Sequence, residues 1–190
     1  MPQMLLEKPF YFLRHGLTDW NKEKRYQGQR DIPLNDEGIQ QAYQAQALLK
    51  NEDITAIYTS TLSRAKKTAE IINEIHKVSL LESLALQECH YGSLEGQLKT
   101  DPEVDANWRK GVTPKDAENY LSFSNRVLNV VNDILNNNGV PLIVAHRAVF
   151  WPIAEAANIT HDIDLGNACP LLIHPPTSGK DSWSTEFIGA

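Results

Sequence analysis

The sequence predicts an α/β fold, a three-layer α/β/α sandwich with a mainly parallel central sheet. Three observations point there. Apolar runs of strand length alternate with longer stretches of helical spacing. The apolar runs are continuous, as strands covered on both faces are. Several of them end in Arg, His or Glu, residue types that a purely structural loop does not require.

Each element can be justified in chain order. Residues 10–13 are apolar and aromatic and read as an interior strand that runs through Arg14 and His15 into Gly16. After a polar loop, Asn35 caps a helix whose first turn carries Asp36 and Glu37, the sign of charge favoured at the positive end of a helix dipole. "ITAIYTS" is a second strand, and it feeds the helix "STLSRAKKTAEIINEIHK", opened by Ser60. "SLLESLALQE" holds a third extended segment that ends in polar residues. From Asp116 onward, Tyr120, Phe123, Val127, Val130 and Ile134 keep helical spacing until "NNNG" closes the helix with a glycine. "VPLIVAH" is a fourth strand, a short helix runs from Phe150 to Asn158, and "WSTEFIG" marks a strand near the carboxyl terminus.

With 190 residues the chain suits one compact domain, 1–190, with a short variable insertion at about 96–118. A formal net charge of -6 argues against nucleic acid as a partner, since phosphate-backbone binders carry a basic surplus. The longest apolar runs are too short to span a membrane, and "MPQMLLEKPF" lacks the features of a signal peptide. Cys89 and Cys169 form neither a disulfide framework nor a metal-ligand spacing. A cytoplasmic protein without metal or other cofactor is the expectation, and no pattern marks a dimer face.

Residues leaving the carboxyl ends of parallel strands stand where open α/β sheets place their ligands. The first strand ends in Arg14 and His15, the second leads to Arg64, the third runs into Glu88, and the fourth delivers His146. Two guanidiniums held together are costly unless an anion sits between them, and their planar forks suit a phosphoryl group. A histidine beside them can attack through a neutral ring nitrogen, which the surrounding positive charge favours. Glu88 can protonate a departing alkoxide and later take a proton from water.

These blocks resemble the histidine phosphatase superfamily, whose members include the cofactor-dependent phosphoglycerate mutases. "LRHGLTDWNKEKRYQGQRDIPLNDEG" is similar to the family's opening block, "IYTSTLSRAKKTAE" to its second, "LQECHYGSLEG" to its third, and "VAHR" holds the place of the second histidine. The resemblance implies that His15 takes up the phosphoryl group. Arg14, Asn21, Arg64 and a protonated His146 then hold its oxygens, and Glu88 serves as general acid and then base. It further points to Gln27, Gly28, Tyr91, Lys99 and Arg147 as substrate contacts.

Three departures bear on specificity. The residue after the second histidine is usually glycine but here is Arg147, which either turns away or reaches a second anionic group on the substrate. Leu17 replaces a residue that is more often polar, and "DAENY", with Asn119, stands near a Gly-Glu-Ser motif. The wording around Lys99 and the alanine of "VAH" is closer to mutases. Mutases, however, carry a longer insertion and an extended carboxyl-terminal tail, whereas only about twenty-five residues separate Glu95 from Tyr120 here. Hydrolysis of a small phosphorylated metabolite is the reading this favours, with mutase-type transfer the alternative. A binding module without turnover would leave His15 and Glu88 unexplained.

Cys89 reads as a small residue packed under the site, and Trp108 as a packed aromatic. His76, His161 and His174 read as solvated or capping, whereas His90 falls within the catalytic block and stands between lining the pocket and leaving it. Lys99, Arg109 and Lys115 are candidates for contact with a substrate's distal anionic part.

Overall fold

A computed structural model describes residues 4–159, 163–177 and 182–189; His161 lies outside them. The first apolar run forms β1 (Phe10–Arg14), buried except at its last residue. Its side chains alternate between two cores. Phe10 and Phe12 pack with α5 (Tyr120–Leu135) and α6 (Arg147–Ala156), while Tyr11 and Leu13 pack with α2 (Asp36–Leu49) and α3 (Ser63–His76). β4 (Pro141–Ala145) is buried throughout and divides itself the same way, with Ile143 and Ala145 on one face and Leu142 and Val144 on the other. Burial on both faces is the reason these two segments read as continuous apolar runs.

The strand order is β3-β2-β4-β1-β5-β6, with β2 at Ala56–Ser60, β3 at Ser79–Ser83, β5 at Leu171–His174 and β6 at Ser184–Phe187. The first four strands pair in parallel, and β5 and β6 extend the other side antiparallel. The chain is thus a mainly parallel sheet between helical layers, as its sequence predicts.

Several local expectations are corrected. Ser60 does not open α3. The helix starts after Leu62 with no side-chain cap, and the Ser60 hydroxyl accepts from the Leu62 N–H at 3.2 Å. α6 begins at Arg147 rather than Phe150, because extended His146 is its N-cap and makes no side-chain capping bond that would mark the start. Glu88 does not end β3, since a 3-10 turn at Leu84–Leu86 intervenes. β5 and two short helices, α1 (Asp19–Lys22) and α4 (Glu103–Arg109), occupy stretches that read as loops. α5 starts at Tyr120 with Asn119 as its cap, the Asn119 side chain accepting from the Ser122 N–H at 2.9 Å. Among the described residues no helix is long and apolar enough to cross a membrane.

Candidate active site

Because β1 and β4 are paired neighbours, their carboxyl ends deliver His15 and His146 side by side. The His15 N–H donates to the Ala145 carbonyl at 3.0 Å, and the two imidazole rings lie 5.2 Å apart. Asn167 Nδ2 donates to the His15 carbonyl at 2.9 Å, so the backbone of His15 is held from two directions. Its buried ring places Nδ1 2.7 Å from the Gly16 carbonyl. A carbonyl only accepts, so Nδ1 carries the hydrogen and Nε2 keeps its lone pair. Burial first, then the charges of Arg64 and Arg14, hold the His15 pKa well below its usual 6.5.

Arg64 projects from the first turn of α3, and its two terminal nitrogens donate at 2.8 Å to the carbonyls of Arg30 and Gly28. Gly28 has a φ of +53°, a left-handed conformation that brings its carbonyl round to the guanidinium at little cost for a residue without a Cβ. Arg14 donates to the Leu165 carbonyl at 3.1 Å. The Nε of each guanidinium is buried without a partner among the described residues. Desolvation pulls both pKa values down to about 10, Arg147 adding to the fall at Arg14, so both groups stay charged at neutral pH while stripped of much of their hydration.

Asn21 is positioned by a reciprocal cap on α1. Its N–H donates to Thr18 Oγ1 at 3.2 Å, and its Oδ1 accepts from the Thr18 N–H at 3.2 Å. With Oδ1 occupied, the Asn21 amide group is left as a donor. Glu88 accepts from the N–H groups of Cys89 at 3.0 Å and Ala148 at 3.3 Å, the latter in the first turn of α6. Burial pushes its pKa above the usual 4.5, against the pull of those two N–H groups, Arg64 and Lys99.

A cavity of about 410 Å³ opens over these groups, and its wall contains Arg14, His15, Asn21, Arg64 and Glu88 together with the further residues the sequence singled out, Gln27, Gly28, Tyr91, Lys99 and Arg147. Arg147 therefore does not turn away. His146 is the exception: it is fully buried behind the wall, packed on His15, with Nε2 2.8 Å from Ser60 Oγ and Nδ1 unpartnered among the described residues. Burial, then Arg64, His15 and Arg14, push its pKa well below 6.5, so these surroundings favour a neutral ring and not the protonated one expected. His90 leaves the wall, its Nδ1 3.1 Å from the Asp116 carbonyl, and Cys89 is buried beside Glu88. Lys115 lines a separate apolar groove, and Arg109 lies against the ring of Trp151. Among the described residues no cluster of His, Cys, Asp and Glu is arranged to hold a metal ion.

The model of the histidine phosphatase superfamily (branch 1) matches residues 10–171, the span that carries all of these groups. The chain belongs to the histidine phosphatase superfamily. Over 146 residues it is 36% identical to a protein of Escherichia fergusonii named probable phosphoglycerate mutase GpmB, covering 72% of this chain and 68% of that one. Among solved structures, TTHB049 from Thermus thermophilus is similar with a TM-score of 0.72 at 26% identity, over 87% of this chain and 93% of the other. A mycobacterial glucosyl-3-phosphoglycerate phosphatase shares the fold with a TM-score of 0.78 at 23% identity, over 95% and 97%.

Two residues that hold the candidate site of this superfamily member together escape sequence reading. Asn167 supports His15 from a loop without a motif. Arg126, on α5, donates to the carbonyls of Ala85 at 2.9 Å, Gln87 at 2.8 Å and Glu88 at 3.1 Å, and its other bonds go to both oxygens of Glu118. The signal was present: an arginine inside a largely apolar helix is seldom left unpaired.

Proposed function

We propose that the protein hydrolyses the phosphomonoester of a small phosphorylated metabolite through a phosphohistidine at His15. The observation that carries this reading is the 2.7 Å bond from His15 Nδ1 to the Gly16 carbonyl, which leaves Nε2 as a nucleophile in a cavity walled by Arg14 and Arg64. In the first step the Nε2 lone pair forms the N–P bond, the P–O ester bond breaks, and the departing oxygen takes the proton of Glu88. Nδ1–H stays bonded to the Gly16 carbonyl while the ring becomes cationic. In the second step water gives its proton to the Glu88 carboxylate as its oxygen attacks phosphorus, the N–P electrons return to Nε2, and inorganic phosphate leaves. Arg14, Arg64 and the Asn21 amide compensate charge on the transferring group, and a phosphoryl dianion would draw His146 toward its protonated form.

Mutase-type transfer is the second reading, favoured by the presence of Tyr91 and Lys99 in the wall and by the name of the Escherichia fergusonii relative. Hydrolysis is preferred because the segment following Glu95 is tied down rather than free to cover the cavity. Leu98 bridges to Arg25, and Trp108 of α4 is buried in the core. The test is release of phosphate from a panel of small phosphoesters in EDTA, beside His15→Ala and with phosphoglycerate isomerisation followed in parallel. EDTA-resistant release that disappears in the variant is the expected outcome. Isomerisation without release would replace this reading by the mutase, and neither activity from a protein that still binds phosphate would mean a binding module.

A further inference from the structure

Charge in the cavity is distributed in a way that one phosphate does not account for. The chain carries a net charge of -6, yet the wall holds six cationic side chains, Arg14, Lys24, Arg25, Arg64, Lys99 and Arg147, against the single carboxyl of Glu88. A phosphoryl dianion balances Arg14 and Arg64. Of the remaining four, Arg25 is paired with Glu23 at 2.5 Å, and Lys99 lies 3.7 Å from Asp105 and over the Tyr26 ring. Lys24 and Arg147 are exposed and make no ion pair among the described residues.

Arg147 is the more telling of the two. It occupies the first turn of α6, next to Ala148, whose N–H holds Glu88, and one helical turn before Trp151, which lines the same cavity. Its charge lies close enough to Arg14 to oppose that guanidinium, with no carboxylate bonded between them. A cation at the positive end of a helix and near a second guanidinium gains from an anion placed beside it. Arg147 is exposed at the wall whereas Arg64 is buried in it, so an anion meeting Arg147 would be a second group on a small molecule whose phosphate meets Arg14 and Arg64. We infer that Arg147, assisted by Lys24, is the specificity-determining residue for a second anionic group, a carboxylate or a second phosphate, on the distal end of the phosphate ester. This rests on the reading of the cavity as a phosphomonoester site.

The test separates binding from turnover. Propylphosphonate, 2-carboxyethylphosphonate and propane-1,3-diphosphonate share one phosphonate on a short chain and differ at the distal end; none can be hydrolysed. Calorimetric titration of the full chain is expected to show one or both of the doubly anionic compounds binding about tenfold or more tighter than propylphosphonate. That preference should collapse to within about threefold in Arg147→Gly and return in part in Arg147→Lys. Whichever of the two compounds binds tighter identifies the distal group as carboxylate or phosphate. Equal affinity for all three compounds, or a preference untouched in Arg147→Gly, would overturn the inference. Failure of the hydrolase reading appears elsewhere, as absence of phosphate release from esters by the unmodified protein.

Discussion

In the proposed hydrolysis Glu88 would be an acid first and a base afterwards, and its surroundings suit both needs. Burial raises its pKa, while the N–H groups of Cys89 and Ala148 keep the carboxylate form within reach. Because the folded value is raised, the proton is retained to higher pH than on an exposed glutamate, and the acid form disappears as pH rises through that value. Hydrolysis of alkyl phosphates, whose leaving oxygen needs the proton, should therefore decline on the alkaline side. Glu88→Gln should slow alkyl phosphates by about 10²- to 10⁴-fold. With nitrophenyl phosphate, whose leaving group needs no proton, the same variant should give a stoichiometric burst of nitrophenol followed by a stall, as phosphohistidine accumulates without a base to activate water. Equal losses on both substrates and no burst would remove Glu88 from the acid–base role. At this scale the sequence was legible for side chains that line the cavity, as with Arg14, His15, Arg64 and Glu88. Asn167 was hidden because it acts on a backbone carbonyl, which any sequence supplies equally, and Arg126 showed only as an arginine in a largely apolar helix, with no sign of the carbonyls it meets.

Among the elements, the contact between the loop after β1 and the start of α2 positions His15, the proposed nucleophile. A Cβ placed on Gly38 would collide with the Leu17 carbonyl, which cannot retreat because the Asn35 N–H donates to it at 3.1 Å; a Cβ on Gly16 would meet the Gly38 carbonyl. Helix propensity alone favours alanine over glycine by about 0.5–1 kcal/mol. Overpacking against fixed backbone costs about 1–3 kcal/mol, so it wins. Gly38→Ala should lower the urea midpoint and reduce turnover through displacement of Gly16, the acceptor for His15; an unchanged midpoint would mean that the loop has room to move. The strands and long helices were legible as apolar runs and helical spacing. β5 was missed because "LLIH" is brief and bounded by prolines, and α4 because seven residues with one buried side chain, Trp108, show no periodicity.

For the molecule as a whole, two histidines buried beside two arginines, surroundings that favour their neutral rings, tie stability to pH. The folded pKa values of His15 and His146 lie well below 6.5, so below about that pH the unfolded chain binds protons the folded chain refuses. Stability is then present in full above 6.5 and is lost as pH falls toward the folded values, with a slope approaching about 1.4 kcal/mol per pH unit for each ring. Glu88, shifted the other way, opposes this with a single proton. Denaturant midpoints should drop between pH 7 and pH 5, less so in His146→Asn; a flat profile would contradict the buried neutral rings. The layer architecture was legible from alternation, whereas the strand order was not, because it depends on which distant segments meet. That order also bears on how the chain comes into being on the ribosome. β1 pairs with β4 and β5 alone, so its register waits for Leu142 and the residues after it. Throughout that interval an aromatic, apolar strand has both edges open, the condition that invites aggregation or calls for a chaperone. His15 at its end is translated early, yet the cavity it lines cannot be complete until Arg147, Trp151 and Asn167 have followed.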